Sequence, residues 1–207
     1  MKTVLLLGDS IRMGYDKSVK QTLDGMAEVI FPAENCRFAS YLLRYIHEYA
    51  QNRSDIDVIH WNAGLWDCLR LFEEEPHTPI DVYAYYIDRI CIRLQKLFPR
   101  AKIIFATSTA VESEKMSKNF KRYNEEIEKY NEAALEVIKK YGFEVNDLYA
   151  LSAALGPEYH SDAVHYYTPE ATKLFTDQVL SYIAPALGID ETLEYKEELY
   201  TDKPIGI

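Results

Sequence analysis

Short apolar runs alternate along the chain with longer segments whose apolar residues have helical spacing. The runs lie at residues 3–7, 28–31, 57–61, 102–106 and 143–145. Apolar runs of this length, bounded by turn residues, are typical of strands that are buried on both faces of a parallel sheet. We therefore interpret each run as one strand of a common sheet.

Four further segments place apolar residues three or four positions apart, as on one face of a helix. They lie at residues 39–50, 82–97, 123–141 and 171–183. Gly142 is a typical helix stop, and Thr168 followed by Pro169 is a typical helix start. Strands that alternate with helices imply right-handed crossovers. The sequence thus predicts an α/β fold, a three-layer α/β/α sandwich around a flavodoxin-like parallel sheet of about five strands.

The length of 207 residues suits one domain, which we place at 1–207 with residues 189–207 as a peripheral tail. Acidic residues outnumber basic ones 33 to 23, so the formal charge is −10. This charge disfavours nucleic acid and anionic membranes as partners and favours a small neutral or cationic substrate. The oligomeric state stays open, and a homo-oligomer is compatible with the sequence.

Three cysteines without CxxC spacing argue against a disulfide framework and a zinc site. The apolar run before Gly8 is too short for a signal peptide or a membrane span. We therefore expect a cytoplasmic protein. Neither a metal-binding pattern nor a nucleotide-binding glycine motif follows a strand, so we expect no metal and no cofactor.

Ser10 is a candidate nucleophile because Gly8-Asp9-Ser10 follows the first predicted strand. Ligands of parallel sheets bind beyond the carboxyl ends of the strands. A turn or capping role is the alternative for this serine, and Asp9 is expected to brace the turn. A serine nucleophile needs a base and an acid to orient that base. Asp162 and His165, three positions apart before the last helix, have the chemistry for both roles, with His160 as a weaker alternative base.

The segments GDSIRMGY and DAVHYYTPEATKLF resemble the first and fifth sequence blocks of the SGNH (GDSL-type) hydrolase superfamily. The resemblance implies the SGNH hydrolase fold and a catalytic triad of Ser10, Asp162 and His165. It also implies hydrolysis of small carboxylic esters, with O-acetyl groups of carbohydrates as the favoured substrate class. The expected partner is then an acylated sugar.

The resemblance further implies three hydrogen-bond donors for the oxyanion. These are the N–H of Ser10, a backbone N–H after the second strand and an asparagine after the third. The second-strand segment has no glycine, so we assign the second donor to Asn35, with Cys36 as the alternative. The third is assigned to Asn62, whereas strict register would place Gly64 there.

Six further residues near the blocks are predicted to contact substrate. Arginines are candidates for an acidic substrate group, although salt bridging explains them equally well, and aromatic rings suit a sugar or an acyl chain. The predicted substrate-binding residues are Arg12, Tyr15, Arg37, Gly64, Trp66 and Tyr166. Asp67 is expected to cap the segment that follows it.

Two other functions are compatible with these residues. A lysophospholipase or thioesterase would use the same triad with a longer pocket. A catalytically idle α/β module that binds a sugar or a protein is favoured by the atypical middle blocks.

Overall fold

Five parallel strands form the central sheet, and two short antiparallel strands form a separate sheet. The computed structural model describes residues 1–50, 53, 55–190 and 193. The strands are β1 Lys2–Leu7, β2 Ala27–Ile30, β3 Val58–Trp61, β4 Arg70–Leu71, β5 Lys102–Ala106, β6 Phe120–Lys121 and β7 Glu144–Asn146. The helices are α1 Ser10–Thr22, α2 Ala39–Ala50, α3 Ile80–Leu97, α4 Asn124–Tyr141, α5 Leu148–Ala153 and α6 Pro169–Leu187.

The main sheet has the strand order β2-β1-β3-β5-β7, which is the flavodoxin-like order. On the helical layers, α1 packs against α6, while α3 packs between α2 and α4. The predicted three-layer α/β/α sandwich with five parallel strands is thus confirmed. Of the helices within residues 1–50, 53, 55–190 and 193, none has the length and apolar character needed to cross a bilayer.

The central strand β1 shows why the apolar runs predicted the sheet well. Val4 to Leu7 are completely buried, as expected for a strand covered by helices on both faces. Leu7 of β1 lies beside Trp61 of β3, which in turn lies beside Phe105 of β5. This register brings the segments after β1, β3 and β5 to one edge of the sheet.

The predicted ends of two helices are confirmed. Gly142 ends α4 in the left-handed conformation at φ 65°. The hydroxyl of Thr168 accepts a hydrogen bond from Ala171 N–H at 3.2 Å, and Pro169 is the first residue of α6.

Four elements, α1, α5, β4 and β6, were not predicted as defined helices or strands. α1 was expected only as a helix or a loop, because its buried face includes polar side chains such as Arg12, Asp16 and Thr22 that obscure the hydrophobic spacing. α5 and the antiparallel pair β4–β6 are too short to show a periodic pattern. Most of the predicted tail at 189–207 lies outside the described residues.

Candidate active site

Ser10 is the first residue of α1, in a tight turn directly after β1. Asp9 caps this helix, because its Oδ1 accepts a hydrogen bond from Ile11 N–H at 2.9 Å. The bracing role predicted for Asp9 is confirmed, and burial of its carboxyl raises its pKa. Gly8 has φ +157°, and a Cβ there would lie 1.9 Å from Oδ1 of Asn62. Only glycine therefore fits at the start of this turn.

Folding brings the side chains of Ser10, His165 and Asp162 into one line of hydrogen bonds. His165 Nε2 lies 2.8 Å from Ser10 Oγ, and His165 Nδ1 lies 2.7 Å from Asp162 Oδ2. A carboxylate beside Nδ1 favours the tautomer with the proton on that nitrogen, which leaves the lone pair of Nε2 for the serine proton. The arrangement can therefore deprotonate the serine hydroxyl during an attack on a carbonyl carbon.

The loop before α6 holds Asp162 and His165 in this position. Ser161 N–H donates to the carbonyl of His165 at 2.8 Å. Oδ1 of Asp162 accepts from Val164 N–H at 2.7 Å and from His165 N–H at 2.9 Å. Burial opposes ionisation of Asp162, but these hydrogen bonds and the His165 ring outweigh it and hold its pKa below the usual value. Asp162 is thus the charged partner that the imidazole needs.

Tyr167 ties the histidine to the nucleophile helix. Its ring stacks on the His165 ring with centroids 4.7 Å apart, and its hydroxyl donates to the carbonyl of Ser10 at 2.6 Å. A Cβ at Gly14 would lie 2.7 Å from the Tyr167 ring, so a glycine on α1 permits this contact. Tyr167 lies within the segment DAVHYYTPEATKLF, two positions after His165.

A pocket of about 350 Å³ opens over Ser10 and His165. Its wall combines the loop after β3 with the segment around β6. The lining residues are Ser10, Leu65, Trp66, Met116, Ser117, Phe120, Arg122, Asp162, Ala163, Val164 and His165. A mainly apolar concavity with a few polar groups is typical of a small-molecule site.

Solved structures with this architecture are hydrolases by description. The lipase/acylhydrolase from Enterococcus faecalis matches with a TM-score of 0.71 at 18% identity, over 95% of this chain and 99% of that chain. An acetyl xylan esterase matches with a TM-score of 0.70 at 16% identity, over 87% of this chain and 99% of that chain. The psychrotrophic esterase EstA from Pseudoalteromonas sp. matches with a TM-score of 0.67 at 12% identity, over 91% of this chain and 100% of that chain.

The chain has the SGNH hydrolase fold. The resemblance that the two terminal sequence blocks predicted is therefore confirmed at the level of the fold. No family model matches the chain. Among curated proteins, GDSL esterase/lipase CPRD49 from Arabidopsis thaliana is 30% identical over an alignment of 82 residues that covers 36% of this chain and 32% of that relative.

The two residues considered for the third oxyanion donor, Asn62 and Gly64, lie in the segment after β3. Asn62 is buried beside the nucleophile turn, with its Oδ1 close to the α-carbon of Gly8. It is not among the described residues that line the pocket, and its assignment as the third oxyanion donor stays a prediction. Gly64 does not line the pocket either, because its α-carbon faces the Ser108 hydroxyl, which a Cβ would meet at 2.3 Å.

The loop after β2 is anchored to the same turn. Cys36 N–H donates to the carbonyl of Gly8 at 3.0 Å, so this amide is already engaged and the alternative donor is not available. Oδ1 of Asn35 accepts from Arg37 N–H at 2.7 Å, and the Asn35 side chain lies outside the pocket. The backbone N–H of Asn35 stays the predicted second donor.

Arg12 and Tyr15 lie beneath the site, which corrects the expectation that they contact substrate. The guanidinium of Arg12 is buried and bonds to Asp16 and to the carbonyls of Pro32 at 2.9 Å and Glu34 at 2.7 Å. Tyr15 is also buried, and its ring lies nearly perpendicular to the His60 ring with centroids 6.0 Å apart. Arg12 therefore ties α1 to the loop after β2, as its alternative salt-bridging role implies.

Of the remaining predicted substrate residues, Trp66 lines the pocket. Arg37 is exposed and stacks over Tyr41 at 5.5 Å. Tyr166 is buried and donates its hydroxyl to the carbonyl of Ala110 at 3.0 Å. Arg37 and Tyr166 thus stabilise loops next to the site without entering the pocket.

Asp67 differs from its predicted position, whereas His165 and not His160 lies beside Ser10, as the sequence favoured. Asp67 caps the earlier helix α2, with its carboxylate accepting from Ala39 N–H at 3.0 Å, and not the segment after it. His160 stacks on Tyr166 with ring centroids 4.1 Å apart, while His165 holds the place beside Ser10. The pocket residues that sequence reasoning missed are Leu65, Met116, Ser117, Phe120, Arg122, Ala163 and Val164.

Proposed function

We propose that this protein hydrolyses small carboxylic esters through a covalent acyl-enzyme on Ser10. The observation that carries the proposal is the continuous line of hydrogen bonds from Ser10 Oγ through His165 to Asp162, at 2.8 Å and 2.7 Å. Nucleophile, base and orienting acid within hydrogen-bond reach are what acyl transfer requires. The esterase and acylhydrolase descriptions of the structural neighbours support the same reaction class.

In the first step, His165 Nε2 takes the proton of Ser10 while Oγ attacks the ester carbonyl. The tetrahedral intermediate collapses when the C–O bond to the alcohol breaks and the imidazolium returns its proton to the leaving oxygen. Water, deprotonated by the same nitrogen, then attacks the acyl-enzyme, the bond from the acyl carbon to Ser10 Oγ breaks, and the imidazolium returns the proton to Oγ as the carboxylic acid leaves. Asp162 stabilises the imidazolium in both halves of the reaction.

Backbone amides stabilise the oxyanion in this scheme. The first N–H groups of a helix have no acceptor within the helix, and the N–H of Ser10 is one of them at the start of α1. The capping carboxylate of Asp9 takes the N–H of Ile11, so the Ser10 N–H stays free for the substrate. The N–H of Asn35 is the proposed second donor, from the loop that is anchored at Gly8.

O-acetyl groups on a carbohydrate are the proposed substrate class. The pocket volume of about 350 Å³ suits a group of monosaccharide size. Trp66 and Phe120 supply aromatic surface for a sugar ring. One structural neighbour is described as an acetyl xylan esterase, which is consistent with acetyl transfer from a sugar to water.

A fluorophosphonate probe tests the nucleophile directly. We expect stoichiometric labelling of the purified protein, turnover of 4-nitrophenyl acetate, and loss of both in Ser10→Ala. Ser181→Ala, on the exposed face of α6, is the matched control and should label and turn over normally. An unlabelled Ser10 in folded protein would instead favour the idle binding module.

The apolar pocket residues Leu65, Met116 and Phe120 also favour one alternative, in which a longer acyl chain occupies the pocket. A series of 4-nitrophenyl esters from acetyl to palmitoyl distinguishes the two functions. Maximal kcat/KM at acetyl supports the proposed substrate class. Maximal kcat/KM at long acyl chains would instead indicate a lysophospholipase or thioesterase.

A further inference from the structure

Arg122 is a buried cation in the wall of the catalytic pocket. It directly follows β6, and the pocket it lines also contains Ser10 and His165. Its side chain is only 2% exposed. Nε donates to the carbonyl of Leu65, and the guanidinium lies 5.1 Å from the centroid of the Phe120 ring. The backbone and the ring therefore fix the guanidinium in place.

The guanidinium is not neutralised by a carboxylate in direct contact. Among the described residues, none forms an ion pair with Arg122, and its Nη1 is buried without a hydrogen-bond partner. A buried charged group without a partner is costly, since its lost hydration is not replaced. Asp9 and Asp162 lie near enough to act on Arg122 electrostatically, but burial dominates and lowers its pKa.

The other buried arginine shows the contrast. Arg12 lies outside the pocket, and Asp16 and two backbone carbonyls bind its guanidinium. A cation that only holds the fold together has its counterion within the chain. Arg122 lines the pocket without such a counterion among the described residues, as expected for a cation whose counterion is supplied by a ligand.

We propose that Arg122 binds a carboxylate on the alcohol portion of the ester, so that the site prefers O-acetylated acidic sugars to their neutral counterparts. The proposal rests on the proposed hydrolysis at Ser10 and names its substrate class. The whole chain has a formal charge of −10, which repels anions, so an acidic substrate needs a local cation of this kind.

The composition of the pocket favours a carboxylate over a phosphate. Arg122 is the one Lys or Arg among the described lining residues, and the Ser117 hydroxyl is the neutral donor nearest to it in sequence. One guanidinium matches a single negative charge and the planar geometry of a carboxylate. A phosphate dianion is better matched by several cations.

The test compares three acetylated sugars as substrates of the wild-type protein. They are tri-O-acetylated methyl glucuronoside, its uronamide, and the corresponding tri-O-acetylated methyl glucoside, with acetate release as the readout. Since a hydrogen bond to a charged group contributes about 1.5–3 kcal/mol, kcat/KM for the acid should exceed that for the amide by roughly 10- to 100-fold. Equal values for acid and amide would overturn the proposal without any variant.

Substitutions then assign the preference to Arg122. Arg122→Gln should reduce the ratio of kcat/KM for the acid to that for the amide to about one, mainly by raising KM for the acid. Arg122→Lys should retain part of the preference for the acid. Arg89→Gln, which removes the same charge on α3 outside the pocket, should leave the ratio unchanged. If Arg122 only supports the loop at Leu65, its variants will lower kcat/KM for all three sugars equally, which contradicts the proposal.

Two controls separate the possible failures. Turnover of 4-nitrophenyl acetate without a preference for the acid refutes the carboxylate site and leaves the esterase function intact. Loss of turnover for every ester, with folded protein, refutes the esterase function itself. A tri-O-acetylated glucoside with a 6-phosphate is a further control. If its kcat/KM exceeds that of the glucuronoside, Arg122 binds phosphate and the proposed carboxylate site is overturned.

Discussion

The two walls of the pocket are built in different ways. The catalytic wall consists of Ser10, Asp162 and His165, and the reacting atoms of these residues already have hydrogen-bond partners within the chain. The recognition wall consists of Leu65, Trp66, Met116, Phe120 and Arg122. There the guanidinium of Arg122 has an unpaired buried nitrogen, and the Phe120 ring is 36% exposed. In the proposed reaction, one wall is organised before substrate arrives, and the other leaves its interactions to the ligand.

Asp162→Asn tests the catalytic wall and should have the largest effect. Asparagine can keep the backbone hydrogen bonds from Val164 and His165, but its amide cannot stabilise the imidazolium and favours the wrong tautomer. We expect kcat for 4-nitrophenyl acetate to fall roughly 10²- to 10⁴-fold with little change in KM. Steady-state kinetics of variant and wild type give both constants.

The lower part of that range is expected because Asp162 is a half-exposed residue, with 50% of its side chain accessible to water. Water can partly replace the missing charge at such a position. Thermal unfolding of the variant provides the control for a displaced loop. A fall in kcat of less than about threefold, with an unchanged melting temperature, would show that His165 works without Asp162 and would weaken the proposed triad.

A buried aspartate also supports each wall, with Asp9 beneath the catalytic wall and Asp67 beneath the recognition wall. Both cap helices, since Asp9 accepts from Ile11 N–H and Asp67 accepts from Ala39 N–H. Burial raises the pKa of both, to about 7 for Asp67. Both aspartates that support the pocket walls are therefore titratable groups.

Asp67→Asn should change how stability depends on pH. Unfolded chains release the Asp67 proton near pH 4, whereas the folded protein retains it up to about pH 7. The unfolded state thus binds fewer protons in this window, so the Asp67 contribution to the free energy of unfolding falls as pH rises from about 4 to 7. Asparagine keeps an oxygen for Ala39 N–H and cannot ionise, so the variant should gain stability relative to wild type across this window, by a few kcal/mol in total.

Urea unfolding of both proteins at pH 4.5, 6.0 and 7.5 measures this difference. Asp81→Asn is the matched control, since Asp81 is an exposed aspartate in the first turn of α3. The expected result is a difference between Asp67→Asn and wild type that grows with pH, and no such trend for Asp81→Asn. If the free energy of unfolding changes with pH in parallel for all three proteins, Asp67 is already ionised in the folded state at low pH.

The sequence predicted the catalytic wall better than the recognition wall for a physical reason. Ser10 follows a buried strand and Asp162 lies three positions from His165, so short patterns and the topology of a parallel sheet bring them together. Arg122 reaches the pocket because β6 pairs with β4, and these strands are two residues long and 50 positions apart in sequence. The contact between Arg122 and the carbonyl of Leu65 has no local pattern that could predict it.

The same argument explains why Arg12 was predicted as a substrate contact. Its position near the nucleophile suggests the pocket, but Asp16 lies one helical turn further along α1 and pairs with it. The spacing of four residues is a sequence signal for a salt bridge. It indicates a structural role only once the helix itself is recognised, and the polar buried face of α1 concealed that helix.

Phe120→Ala tests the recognition wall and should have the smallest effect. The ring supports the guanidinium of Arg122 and offers partly exposed apolar surface to a ligand. Burial of the exposed part of this ring by a ligand contributes about 0.5–1 kcal/mol, so KM for 4-nitrophenyl acetate should rise about two- to fivefold while kcat stays unchanged. Phe72→Ala is the matched control, because Phe72 is another exposed phenylalanine, beside β4, and does not line the pocket. If Phe120→Ala lowers kcat and leaves KM unchanged, the ring acts on the reaction and the division into two walls is incorrect.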